Sequence, residues 1–191
     1  MNKIPLLLFI PLLINGCTTM GVGTAEVTGI ALFHDRRNAQ SILTDEKIEN
    51  DAMITLNLDS DIRSNSHFNV TSYNGIVLIT GETPIQALLS HISETIQALN
   101  DVRLIQNQML LAYPSSFSTR ANDSLITAKI KIAFTSDPRL PGFDTTRIKV
   151  VTENSRVFLM GLVYPKEGDI AAEIARQQPE VQEVIKVFEY I

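Results

Sequence analysis

VTSYNGIVLITG, residues 70–81, and VVTENSRVFLMG, residues 150–161, carry one pattern twice. Val70 aligns with Val150, Asn74 with Asn154, Val77 with Val157 and Gly81 with Gly161. Each stretch reads as two apolar strands around a tight turn. Asn74-Gly75 is a strong hairpin signal because both residues tolerate positive φ, and Asn154-Ser155 is a weaker version of it. VFLMGLV (157–163) is apolar on both faces, which predicts a central strand. Gly81 and Gly161 inside these strands predict a bulge or a helix lying close above the sheet.

The repeat extends outward from the hairpins. NDAMIT (50–55) and NDSLIT (122–127) pair Asn50 with Asn122, Asp51 with Asp123, Ile54 with Ile126 and Thr55 with Thr127. Ile54, Leu58 and Ile62 in one copy, and Ile126, Ile130 and Phe134 in the other, are spaced as the buried stripe of a helix. An Asn followed by Asp suits the start of that helix, through side-chain capping and the helix dipole. Beyond the hairpins, second helices are expected at roughly 84–99 and 165–177. Closing strands follow, from Val102 to about Tyr113 and from Val181 to the last residue. AYPSSFSTRA (112–121) reads as the linker, and the second copy carries extra residues around DPRLPGFDTT (137–146). The expected class is α+β. Each of two tandem domains runs helix–strand–strand–helix–strand, with two helices packed on a three-stranded mixed sheet.

The N-terminus is of another kind. Lys3 precedes an apolar run from Ile4 to Ile14, broken by Pro5 and Pro11. The run is far shorter than the roughly 20 residues of a spanning helix, and reads as an export signal. It ends in LINGC (13–17), which resembles the bacterial lipobox, with Ile14 three places before the cysteine and Gly16 directly before it. The resemblance implies that Cys17 is acylated and opens the mature chain. Each buried methylene contributes about 0.8 kcal/mol, and stable anchoring takes more than one acyl chain. Thr18 follows rather than Asp, which implies the outer membrane, with the protein facing the periplasm. The segments expected are a leader (1–16), a lipidated N-terminus and tether (17–44), a first domain (45–111), a linker (112–119) and a second domain (120–191). Arg36 and Arg37, late in the tether, are expected to be solvated.

The duplicated order, the V-x-x-x-x-G-x-V-x-L-x-G type of hairpin and the closing V-x-x-V pattern resemble the BON domain. This is a small bacterial module of periplasmic and outer-membrane proteins. The resemblance spans nearly all of the mature chain. It implies a non-enzymatic, phospholipid-binding protein that supports the integrity of the outer membrane.

The remaining residues exclude much chemistry. A formal net charge of −5 gives no broad basic surface for nucleic acid. Cys17 is the sole cysteine, and His34, His67 and His91 have no metal-ligand spacing, so no metal is expected. No cofactor is expected beyond the covalent lipid on Cys17. Phosphate-binding loops and nucleophile elbows are absent from the sequence. His67 and His91 lack counterparts in the second copy and read as surface residues. The pairs Asp59/Asp61 and Glu46/Glu49 read as solvated charge. No catalytic residue is expected.

Function is sought instead where the copies differ. On a helix at 100° per residue, Leu125 and Ile132 fall together, away from Ile126, Ile130 and Phe134. Lys129 lies between them and the core, and Lys131 projects from the other side. Residues 120–139 carry a net charge of +2, whereas 45–63 carry −4. The alignment places Met53, Asn57, Asp59 and Ser60 opposite Leu125, Lys129, Lys131 and Ile132. Leu125, Lys129, Lys131 and Ile132 are therefore the candidate contact with an anionic phospholipid membrane. Each basic residue there contributes about 1 kcal/mol, so the contact is weak and reversible. The family resemblance places lipid contact on the same helix. One alternative packs Leu125 and Ile132 against the first domain. Another makes the protein a scaffold that captures envelope partners along an exposed strand edge, without lipid. Membrane lysis is a third, disfavoured by the negative net charge.

Overall fold

The computed structural model describes residues 35–140 and 142–191, so Cys17 and the leader lie outside the described residues. The first domain runs α1 (Ala39–Leu58), α2 (Ser60–Asn65), β1 (His67–Tyr73), β2 (Ile76–Thr83), α3 (Gln86–Gln97), β3 (Leu104–Asn107) and β4 (Leu110–Leu111). The second runs α4 (Phe117–Ser136), a 3-10 turn (Thr145–Arg147), β5 (Ile148–Glu153), β6 (Arg156–Val163), α5 (Pro165–Arg176) and β7 (Glu183–Tyr190). The expected order is present in both domains. Among the described residues no helix is long and apolar enough to cross a membrane.

Both hairpin turns form as the sequence predicts, on backbone of positive φ: 52° and 74° at Asn74 and Gly75, 50° and 58° at Asn154 and Ser155. The strands after the turns, β2 and β6, are central. β2 is antiparallel to β1 and parallel to β3 and β4. β6 is antiparallel to β5 and parallel to β7. The closing strand of the first domain is broken in two. Asn107 Oδ1 accepts the N–H of Met109 at 3.0 Å, and Met109 turns into the core. The short α2 is also additional to the expected plan, and is capped by Asp59 Oδ1, which accepts from Asp61 and Ile62.

Gly81 and Gly161 answer to the neighbouring strand, not to a helix or a bulge. A Cβ on Gly81 would collide with the carbonyl oxygen of His67, and one on Gly161 with that of Arg147. Only glycine lets the antiparallel partner approach there.

Alternate residues of each sheet face opposite ways. Val77 and Ile79 of β2 face α1 and α3, while Ile76 and Leu78 face the other domain. Val157, Leu159 and Val163 of β6 face α4 and α5, while Phe158 and Met160 face β2. The two sheets thus pack face to face through Tyr73, Ile76, Leu78, Phe158 and Met160, with helices on the outside of each. This explains why VFLMGLV is apolar on both faces. Each such side chain contributes about 1.5–3 kcal/mol by leaving water.

The first helix departs from expectation. It starts at Ala39, capped by Asn38, and α4 starts at Phe117, capped by Ser116. Asn50 and Asn122 therefore lie within the helices, and residues 39–44, expected in the tether, are helical. The buried stripe of α1 is Asp45, Ile48, Ala52 and Leu56. Ile54 is 62% exposed and Leu58 77% exposed, and of the expected stripe only Ile62 is buried. In α4 the stripe is Asp123, Ile126, Ile130 and Phe134. The spacing is identical, so Asp45 answers to Asp123, and NDAMIT is not the structural counterpart of NDSLIT.

Candidate lipid-facing helix and the junction of the two domains

The α4 helix presents Ile126, Ile130 and Phe134 to its own core and turns its opposite side outward. Leu125 and Ile132 stand on that outer side, 60% and 67% exposed. Ala121 and Ala128, also exposed, complete one stripe with them. The alternative in which Leu125 and Ile132 pack on the first domain fails, because the domains meet through their sheets instead.

The lysines are in different states. Lys131 is exposed and has no ion pair among the described residues. Lys129 Nζ lies 2.5 Å from Glu180 Oε1, in the turn after α5. Arg139 is likewise engaged, with Asp137 at 2.8 Å and Glu173 at 3.0 Å. The positive charge of this region is thus partly neutralised by acids distant in sequence. Both partners of the Lys129–Glu180 pair are half-exposed, and such a pair is worth about 0–1 kcal/mol.

In the corrected register, Leu125, Lys129, Lys131 and Ile132 face Lys47, Asp51, Met53 and Ile54 of α1, not Met53, Asn57, Asp59 and Ser60. The contrast in charge survives at two positions, where Asp51 replaces Lys129 and Met53 replaces Lys131, and is reversed where Lys47 replaces Leu125. In α1, Asp51 is paired with Lys47 at 2.6 Å.

The end of the tether is anchored to the fold, contrary to the solvated arginines expected. Arg36 forms a two-point ion pair with Glu167 of α5, at 2.6 and 2.8 Å, and lies 4.7 Å from the ring centre of Tyr164. That pairing holds the Glu167 carboxyl below the ordinary carboxylate range. Arg37 is buried between Asp35 and Asp45, both at 2.6 Å, and stacks 3.8 Å from the ring centre of Tyr73. Burial pushes the Tyr73 hydroxyl up to about 12. The chain coming from Cys17 is therefore fastened to the first domain by Arg37 and to the second by Arg36.

Polar contacts rim the sheet interface. Lys149 reaches Glu49 at 2.7 Å, so Glu49 is an interdomain partner and not simply solvated. Glu189 accepts from Asn74 at 2.6 Å and from Arg103 at 3.1 Å. At the other end of β1, His67 Nε2 is 3.5 Å from Glu153 Oε1, so His67 is half-buried at the junction rather than a surface residue. Burial pushes the Glu153 carboxyl up, but bonds from His67, Asn69 and Thr80 outweigh it and hold the group below its ordinary range. His91 fits its expectation better: it is half-exposed, 3.0 Å from Asp59.

The BON domain family model matches residues 44–113 and 122–191. The chain belongs to the BON-domain family. Its two BON domains begin in the register that Asp45 and Asp123 define. The chain is 28% identical over 191 residues to the outer membrane lipoprotein DolP of Haemophilus influenzae, covering 100% of this chain and 97% of that one. It is 31% identical over 157 residues to a 21 kDa hemolysin of Actinobacillus pleuropneumoniae, covering 82% of this chain and 79% of that one. The C-terminal domain of CdsD, a structural protein of the type III secretion system of Chlamydia trachomatis, aligns with a TM-score of only 0.30. That alignment has 13% identity over 77% of this chain and 67% of that one, too weak to bear on function. These paired BON domains are those of an outer-membrane lipoprotein.

Sequence reasoning missed the anchored arginines and the His67–Glu153 contact. Both join residues far apart in the chain. Asp45 and Asp123 were legible in principle, since each stands three residues before an Ile in a buried stripe.

Proposed function

We propose that this outer-membrane lipoprotein docks on anionic phospholipid through the outer face of α4, and that its role in the envelope is binding rather than catalysis. The observation that carries the reading is the outward stripe of Leu125 and Ile132, left uncovered beside the exposed Lys131. Leu125 and Ile132 reach the headgroup boundary, Lys131 meets phosphate directly, and Lys129 exchanges Glu180 for phosphate. The Leu125 position lacks an interfacial aromatic ring, so affinity is low. A lipid chain on Cys17 makes low affinity sufficient, since tethering raises the effective concentration at the bilayer. Support of envelope integrity follows from a folded module held against the lipid surface. Lipid titration by NMR on the mature chain with Cys17→Ala tests this: shifts should concentrate at 121–132, and shifts confined to α1 would exclude it.

A second reading has its own observation. In α1, Leu43, Ile54 and Leu58 are exposed among Glu46 and Asp51. Lys47 lies on the same face and already pairs with Asp51, so this mainly apolar helix face has no free cation for anionic lipid and suits a protein groove. An envelope protein partner on α1 is compatible with lipid on α4, and crosslinking in cells from position 54 tests it.

A further inference from the structure

His67 and Glu82 are cross-strand partners at one end of the first sheet, and Glu153 closes β5 of the second. Fold packing brings the three together across the domain junction, with one ligand-type atom from each within 4.8 Å of the others. Two of the three are deeply buried: Glu82 is 2% exposed and Glu153 5%. Among the described residues neither carboxylate forms an ion pair with Lys or Arg. Arg120 lines the adjoining cleft but spends a guanidinium N–H on the carbonyl of Ser115, at 2.6 Å. Two buried carboxylates this close repel each other and lose hydration, a cost that a cation between them would offset.

We propose that His67, Glu82 and Glu153 form a divalent-cation site of the zinc class that clamps the two BON domains together. Zinc accepts both imidazole nitrogen and carboxylate oxygen, and in open sites takes three protein ligands with water completing the tetrahedron. In a tetrahedron two donors at about 2.1 Å from the ion are about 3.4 Å apart, so atoms that lie within 4.8 Å of one another need to close by up to about 1.4 Å, through side-chain rotation. The outer shell that such sites require is already built. Asn69 Nδ2 and Thr80 Oγ1 donate to Glu153 Oε2 at 2.8 and 3.2 Å. Asn154 Nδ2 and the Ser115 N–H donate to Glu82. Ser115 also keeps a buried hydroxyl with no hydrogen-bond partner. A cleft of about 370 Å³ opens onto His67 and Glu153 and gives an ion a way in. Because the ligands come from both domains, bound metal stabilises the junction and not one domain alone.

The test is calorimetric titration of Zn²⁺ into the mature chain, residues 17–191 with Cys17→Ala, at pH 7.5. The expected result is one ion per chain and a rise in Tm of about 5 °C with excess zinc. Glu153→Gln keeps the shape of the site and should weaken binding about tenfold or more, as should His67→Ala. His34→Ala and His91→Ala should bind as the parent does. X-ray absorption should show nitrogen and oxygen ligands. Circular dichroism checks that each variant is folded; if His67→Ala is not, the conservative Glu153→Gln decides. Absence of a one-to-one site overturns the proposal, as does zinc binding that Glu153→Gln leaves intact.

Discussion

Asp45 and Asp123 occupy the same place in the two domains, each a buried carboxylate on the first helix that receives the hairpin turn. Asp45 accepts the N–H groups of Asn74 and Gly75 at 2.7 and 2.8 Å. Asp123 accepts those of Asn154 and Ser155 at 2.9 and 2.8 Å. One side chain thus docks a helix on the turn of its sheet. The arrangement sets which face of each helix is buried and, through α4, which face is left exposed.

Asp123→Ala leaves two backbone donors without partners and should destabilise the chain by about 2–4 kcal/mol. Urea unfolding measures it. A loss under about 0.5 kcal/mol would mean that the carboxylate is not what holds the turn.

Ser155 occupies a left-handed backbone position that its counterpart fills with Gly75. Ser155→Gly should therefore stabilise by roughly 0.5–1 kcal/mol, read as a higher unfolding midpoint at unchanged slope. A decrease would show that the serine side chain contributes more than its backbone strain costs.

The Arg36–Glu167 clasp should release in acid. Glu167 is depressed when folded, chiefly by its bond to Arg36. Its contribution is therefore complete above the unfolded value of about 4.3 and lost as pH falls through the lower folded value. An NMR titration should give Glu167 a midpoint below the ordinary carboxylate value of about 4.3, and Arg36→Ala should move it back towards that value. A midpoint unmoved by Arg36→Ala would place the cause elsewhere.

Phe158 is fully buried in the layer between the sheets. Phe158→Asp should part the domains while leaving each helix-facing core intact, since that side chain belongs to neither. Calorimetry should then show two unfolding transitions where the parent shows one. A single transition with total unfolding would mean that the domains cannot fold apart.

The element order was legible because each signal was local. Asn74-Gly75, the doubly apolar strand at 157–163 and the closing Val102 and Val181 patterns need no partner to be read. The register of α1 was not. NDAMIT matches NDSLIT letter for letter better than Thr44-Asp45 through Ile48 matches Asn122-Asp123 through Ile126, yet burial follows the second match. String identity competes there with a tertiary bond, and the bond to the turn wins. The outward set of Leu125 and Ile132 was legible from helical geometry alone. The pairing of Lys129 with Glu180 was not, because it spans α5. The anchored arginines and the His67–Glu82–Glu153 cluster likewise depend on how two sheets meet.

The most direct measurement is co-sedimentation of the mature chain with Cys17→Ala on phosphatidylglycerol vesicles, with phosphatidylcholine for comparison. The native α4 should bring the protein down only with the anionic lipid, and Leu125→Glu combined with Ile132→Glu should lower that affinity by about tenfold or more. Equal sedimentation of the double variant and the parent would contradict the account.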